Sequence, residues 1–162
     1  MISLRKMKAD EYPAYCDYFI ADYADDLAQN YGHSIEAATE LAQQTLLSSL
    51  PDGIESKKHD LLCIELNSNS SKVIGYLWHS IKASDASTFI YDFYIEAQYR
   101  GSGYGKQALN QLENLLATVG IDQIKLRVAF NNQRALALYK EVGFAISGYN
   151  MSKKITAMTN NT

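Results

Sequence analysis

The chain has 162 residues, 47% of them apolar, which is enough for one sizeable core in one domain. Its 15 basic and 18 acidic side chains leave a net charge of −3, so no overall positive field draws it to nucleic-acid phosphates or to an anionic membrane surface. Its apolar runs fall far short of the roughly 20 residues that a bilayer span needs. Met1-Ile2-Ser3-Leu4-Arg5-Lys6 leads into no signal-peptide-like stretch, and the expected location is cytoplasmic. Cys16 and Cys63 lack CxxC spacing and the histidines are scattered, so neither a disulfide nor a metal site is expected.

In chain order, Ile2 and Leu4 alternate with polar neighbours as a strand does, and Tyr12, Tyr15, Phe19 and Tyr23 then recur at helical spacing. Ser34 is placed to cap a second helix carrying Ile35, Ala38, Leu41, Ala42, Thr45 and Leu46, which Leu50-Pro51-Asp52-Gly53 ends. Asp60 to Leu66, Lys72 to Lys82 and Thr88 to Ile95 read as a three-stranded meander with a polar turn at Asn67-Ser68-Asn69-Ser70-Ser71. Ala108, Leu109, Leu112, Leu115 and Leu116 mark an amphipathic helix that Gly120 stops. Ile124 to Ala129 follows as a strand, Asn132 to Val142 as a short helix, and Phe144 to Lys154 as a last strand. The order β-α-α-β-β-β-α-β-α-β describes a mixed α/β domain over residues 1–156, and the polar tail, 157–162, is expected to be disordered.

The segment richest in chemistry is Phe93-Tyr94-Ile95-Glu96-Ala97-Gln98-Tyr99-Arg100-Gly101-Ser102-Gly103-Tyr104-Gly105-Lys106, where a strand runs through alternating glycines straight into a helix. Glycines let the backbone approach an anion without intervening Cβ atoms, and the unpaired amides and dipole of a helix start favour negative charge. A diphosphate suits that environment. Two commoner phosphate loops fail on counting: GxxxxGK[ST] needs glycine at Arg100, and GxGxxG from Gly101 needs glycine at Lys106. On the glycines alone, a simple helix-capping turn explains the segment equally well.

Arg100-Gly101-Ser102-Gly103-Tyr104-Gly105 resembles the signature of the GNAT superfamily of N-acetyltransferases, and Val128 to Phe144 is similar to that family's strand-to-helix segment, with Asn, Ala, Leu-Tyr and Gly-Phe landmarks in order. The element order resembles the family's as well, and the likeness is to its small bacterial single-domain members. It implies a mixed central sheet of about six to seven strands, splayed between strands 4 and 5 and flanked by about four helices. It further implies a coenzyme A site in the splay. Phe93, Tyr94 and Ile95 would lie along the pantetheine arm, Arg100, Gly101, Ser102, Gly103, Tyr104, Gly105 and Lys106 would hold the diphosphate, and Asn132 would contact the cosubstrate. Tyr139 would protonate the departing thiolate. The implied activity is acetyl transfer from acetyl-coenzyme A to a primary amine by direct attack, the acceptor being a small cationic amine, an amino sugar or a peptide or lysine amine, in a monomer or homodimer without nucleic acid or membrane partners. A non-catalytic acyl-coenzyme A sensor is the alternative.

Other roles stand beside these. Tyr139 can be an ordinary packed aromatic and Asn132 an ordinary N-cap. Their seven-residue separation, about 10 Å along a helix axis, puts both on one face. Members of the family that modify ribosomal protein N-termini carry a glutamate on the fifth strand, where this chain has Arg127, so the base is sought elsewhere. Asp92, flanked by Phe89, Ile90, Tyr91 and Phe93, is the candidate, because partial burial raises a carboxyl toward a useful pKa. Pairing of Asp92 with Lys or Arg, or capping of a bulge, is the competing role, and Glu96 or a water relay is another route. The resemblance also implies that the acceptor meets the first two helices, which carry Asp22, Tyr23, Asp25, Asp26, Tyr31 and His33; acids and aromatics suit a cationic amine, and a plain solvated face is the competing role of the acids.

Overall fold

The computed structural model describes residues 1–156, and the expected disordered tail lies outside them. Five strands and four α-helices follow in the order β1 (Ile2–Lys6), α1 (Tyr12–Tyr31), α2 (Ile35–Ser49), β2 (His59–Leu66), β3 (Lys72–Lys82), β4 (Ser87–Ile95), α3 (Tyr104–Thr118), β5 (Gln123–Leu126) and α4 (Gln133–Glu141). The strands form one sheet in chain order. All neighbours are antiparallel except β4 and β5, which α3 connects in parallel.

Caps and glycines set the helix limits. α1 ends on Gly32 at φ 70°, a left-handed conformation that suits glycine. Ser34 then caps α2 as expected, its hydroxyl accepting from the Ala37 amide at 3.2 Å. Ala24, Leu27, Ala38 and Ala42 are buried together, and the small side chains let α1 and α2 pack closely.

The central strands are apolar on both faces, so each successive side chain goes to a different layer. Leu61 and Cys63 of β2 and Trp78 of β3 pack under α1 and α2 with Tyr15, Phe19 and Leu46. Leu62, Leu77 and Ile90 pack on the other side with Leu109, Leu112 and Leu116 of α3 and Tyr139 of α4. The sheet is thus a middle layer between two helical layers.

Two irregularities shape the functional end. In the β3–β4 ladder Trp78 pairs with Asp92 and His79 with Ile90, leaving Tyr91 as a bulge. Such an extra residue bends the strand and resets its alternation. Tyr91 and Asp92 consequently both serve the α1 face: Tyr91 stacks on Trp78 with ring centroids 4.9 Å apart, while Asp92 accepts from two α1 tyrosines. The parallel ladder joins Ser87–Ile90 to Gln123–Leu126 and ends where the bulge begins. β4 runs on to Ile95 without that neighbour, which is the expected splay.

The strand count differs from the expectation of six to seven. β5 stops at Leu126 rather than Ala129, since its β4 partner turns away at the bulge. Phe144 to Lys154 forms no strand among the described residues. Its alternating pattern suits a strand, but no neighbouring strand pairs with it here, and a strand exists only as part of a ladder.

Gly75 is tightly constrained: a Cβ there would stand 2.1 Å from the Tyr94 carbonyl oxygen. That clash is with backbone at the mouth of the splay, where no rotamer change relieves it. Gly75→Ala is expected to destabilise the protein by about 3 kcal/mol, measured as a fall in the chemical-denaturation midpoint at unchanged slope.

Candidate active site

β4, the loop after it, and the N-termini of α3 and α4 enclose a cleft of about 870 Å³. Of the twelve positions expected on this side, Phe93, Tyr94, Ile95, Arg100, Gly101, Gly103, Tyr104, Gly105, Lys106, Asn132 and Tyr139 line it. Ser102 is exposed and does not. Gly101 and Gly103 adopt φ of 81° and 84°, and Gly103 is the N-cap of α3 with no side chain capping it. The first amides of α3 therefore face the cleft unclaimed, with the positive end of the helix dipole behind them. Gly105 is needed for packing: a Cβ there would come within 3.1 Å of Leu138 and 3.7 Å of the Phe93 ring.

Arg100 has a bracing role that the spacing did not reveal. Its Nε donates to the Ile95 carbonyl at 2.7 Å and its guanidinium lies 5.4 Å from the centre of the Tyr94 ring. The arginine thus ties the glycine loop to the end of β4. Arg134, at the start of α4, adds exposed positive charge to the rim, while Lys106, at the start of α3, is paired with Glu141 at 3.3 Å; Arg134 was not singled out from the sequence. Asn132 is an N-cap, its Oδ1 accepting from the Ala135 amide at 3.2 Å, and it also faces the cleft.

A second cleft, about 630 Å³, lies between α1, the C-terminal part of α2, and the outer parts of β4 and β5. Asp22, Tyr23, Asp25, Asp26, Asp92 and Arg127 line it. The two clefts share Asp22, Phe93, Asn131, Asn132 and Tyr139. Tyr31, His33 and Glu96 line neither.

Tyr139 stands at the junction, 9% exposed. Phe93 and Phe144 hold its ring, at centroid distances of 6.4 and 5.5 Å. Burial, and then the charge of Asp92, push its hydroxyl up to about 12, so at neutral pH it carries its proton. The packed-aromatic and cleft-facing descriptions both apply to it.

Asp92 is partly buried and has no Lys or Arg within ion-pair distance among the described residues. Its two oxygens accept instead from Tyr15 at 3.0 Å and Tyr18 at 3.1 Å. Burial raises the carboxyl to about 7; the two tyrosine bonds oppose that rise without cancelling it. Tyr18 also stacks near Tyr94 at 4.2 Å, so one α1 turn fixes both Asp92 and the end of β4. Burial and the neighbouring Asp26 and Asp25 likewise raise Asp22.

A cleft rimmed by the first residues of α3 and α4 thus meets a second, acid-lined cleft at a protonated tyrosine and a carboxyl poised near neutrality. The profile of the Acetyltransferase (GNAT) family matches residues 13–144, and the chain belongs to that family, whose cosubstrate is acetyl-coenzyme A. It is 34% identical over 156 residues to the uncharacterized N-acetyltransferase YycN of Bacillus subtilis strain 168, covering 95% of this chain and 99% of that one. The crystal structure of YycN superposes with a TM-score of 0.88 at 33% identity, over 97% of this chain and all of the other. A structure of PaiA N-acetyltransferase from Thermoplasma acidophilum in complex with coenzyme A shares the fold, with a TM-score of 0.69 at 18% identity over 93% of each chain. A shorter match, 33% identical over 79 residues, covers 47% of this chain and 46% of the mouse thialysine N-epsilon-acetyltransferase.

Proposed function

We propose that this protein is a cytoplasmic, single-domain N-acetyltransferase that moves an acetyl group from acetyl-coenzyme A to the primary amine of a small acceptor bearing both an amine and a carboxylate. The observation that carries the reading is the meeting of the two clefts at Tyr139, one floored by helix-start amides and the other by acids. The bound thioester supplies an activated acetyl group. The amides of Gly101 to Lys106 and the Arg134 side chain suit its diphosphate, with Lys106 available on release from Glu141, and the unpaired end of β4 at Phe93 to Ile95 suits its pantetheine amides. Asp92 takes a proton from the acceptor ammonium, the freed amine attacks the thioester carbonyl, the C–S bond breaks as Tyr139 gives its proton to the departing thiolate, and the second nitrogen proton returns to Tyr139. Once Asp92 is protonated its charge no longer raises the Tyr139 pKa, so the acid strengthens after the base has acted.

Two poles of the second cleft support the acceptor class. Asp22, Asp25 and Asp26 draw a cation toward Asp92. Arg127 lines the same cleft, bonded to the Tyr31 hydroxyl and 5.8 Å from its ring centre, with no carboxylate partner among the described residues. Tyr31, which lies outside the cleft but holds Arg127, is nine residues after Asp22 on α1, about 13 Å along its axis. An acceptor carrying its amine at one end and a carboxylate at the other spans such a cleft, and thialysine, named in the mouse relative's activity, is an acceptor of this type.

A panel of lysine-like amino acids, matching diamines and amino sugars, incubated with acetyl-coenzyme A and read by free thiol release, tests the proposal. Lysine-like acids should turn over best, and Arg127→Gln should raise their KM about tenfold while leaving diamines unchanged. Preference for diamines would remove Arg127 from the acceptor site. Tight acetyl-coenzyme A binding with no thiol release from any amine would favour the sensor.

A further inference from the structure

The acid-lined cleft also holds an aromatic surface that the chemistry above leaves unused. Tyr91 lines that cleft and is 47% exposed. A single exposed aromatic is ordinary on a protein surface, but this one is braced from behind. Its ring stacks on Trp78 at an interplanar angle of 21°, and the His59 ring lies 5.5 Å away. Trp78 is itself buried, its Nε1 donating to His59 Nδ1 at 3.1 Å and its ring meeting Phe19 edge-on at 5.5 Å. Phe89 stands edge-on to Tyr91 at 5.0 Å. The bulge in β4 thus turns a flat ring toward solvent inside a cleft and fixes it there.

The position of that ring defines what it can touch. Tyr91 directly precedes Asp92 in the chain. Extending the parallel register that sets Phe89 beside Lys125 and Ile90 beside Leu126 brings Tyr91 level with Arg127, and all three of Tyr91, Asp92 and Arg127 line the cleft. The ring therefore lies between the acidic pole and the cationic pole. Whatever joins an amine at one pole to a carboxylate at the other must cross an aromatic face, and such a face buries methylenes well because they ask for no hydrogen bond.

We propose that Tyr91, backed by Trp78, is the subsite for the stem of the acceptor: an unbranched run of methylenes lies across its face, with the amine at Asp92 and the carboxylate at Arg127. The inference rests on the acceptor class given above and adds to it a third point of contact, one that selects by chain length. Each methylene buries further apolar area against the ring until the two poles are spanned. An amino sugar is disfavoured on the same ground, since its hydroxyls would be desolvated against the ring without partners.

Trp78 is the single tryptophan of the chain, so its fluorescence, excited selectively over the 12 tyrosines, reports on this surface directly. Lysine, and the diamine with the same methylene chain, titrated into the coenzyme A complex should each change that signal saturably. Tyr91→Ala should raise KM about fivefold for both compounds, with kcat at saturation within about twofold of wild type, whereas Arg127→Gln acts on lysine alone. Tyr91→Phe keeps the ring and should keep the wild-type KM. Along a series of diamines, each methylene added up to the length of lysine should lower the wild-type KM about two- to fourfold, a trend that Tyr91→Ala abolishes. No saturable Trp78 response, a wild-type KM that ignores chain length, or a trend that survives Tyr91→Ala would each overturn the proposal. An unchanged lysine KM in Arg127→Gln would remove only the carboxylate pole. If no amine turned over, the transfer reading would fall, and the fluorescence titration would decide the stem subsite by itself.

Discussion

Tyr139→Phe is expected to lower kcat by roughly 10²- to 10⁴-fold where chemistry limits turnover. The substitution removes one hydroxyl and leaves the ring between Phe93 and Phe144, so the packing of both clefts is kept. Coenzyme A affinity by calorimetry should stay within about twofold, since uniform binding is untouched. The hydroxyl is held protonated by burial and by Asp92, which makes it a proton source across the neutral range. A fall in kcat of less than about threefold would reduce Tyr139 to a packing residue and move the donation to water.

Asp92→Asn should have an effect of comparable size, and pH gives it a distinct signature. Above about 7 the wild-type carboxyl is ionised and can accept a proton; below that it is neutral and cannot. In the wild type kcat/KM should therefore rise with pH through an apparent pKa near 7. In the variant that limb should be absent, leaving a rate roughly 10²- to 10⁴-fold lower that climbs only as the acceptor amine itself deprotonates. A variant that keeps the limb near 7 would assign the base elsewhere.

The same group makes a stability prediction with a definite sign. The folded carboxyl keeps its proton to about 7, whereas the unfolded one releases it near the ordinary value of 3.8. Between those values the folded state binds more protons, so the contribution of Asp92 to stability falls as pH rises through that window. The variant loses one tyrosine acceptor bond, worth about 1 kcal/mol, but carries no buried charge. Its Tm relative to wild type should hence improve from about pH 5 to about pH 8, measured by differential scanning calorimetry.

Much of the fold was legible because its signals are local. Ser34 and Asn132 cap helices through the amides three residues on, and those are decided by a few neighbouring dihedrals. The glycine loop was readable for the same reason: left-handed φ at Gly101 and Gly103, followed by a helix start, is a property of consecutive residues. The heptad-like stripe of α3 likewise announced a buried face at Leu109, Leu112 and Leu116.

The carboxyl chemistry was legible only as a residue type in an apolar run. The partners of Asp92 lie 77 and 74 residues before it in the chain, and no periodicity in β4 points to Tyr15 or Tyr18. Even the face of Asp92 depends on the bulge at Tyr91, since plain alternation from Ile90 would send it to the opposite layer. Arg127 tells a similar story. The sequence showed a cation where relatives of another kind carry an acid, but its reach to Tyr31 at the far end of α1 depends on how helix and sheet pack.

The sequence by itself determined the helices, most of the strands, the glycine loop before α3 and the family, because each rests on short-range geometry and on residue spacing. Only the tertiary structure decided that two clefts meet at Tyr139, that Arg100 braces the loop, that Asp92 is held by two tyrosines, and that residues 145–156 find no ladder on their own sheet. Burial, pKa and strand pairing are set by groups brought together from distant parts of the chain, and a one-dimensional pattern carries no record of which groups those are.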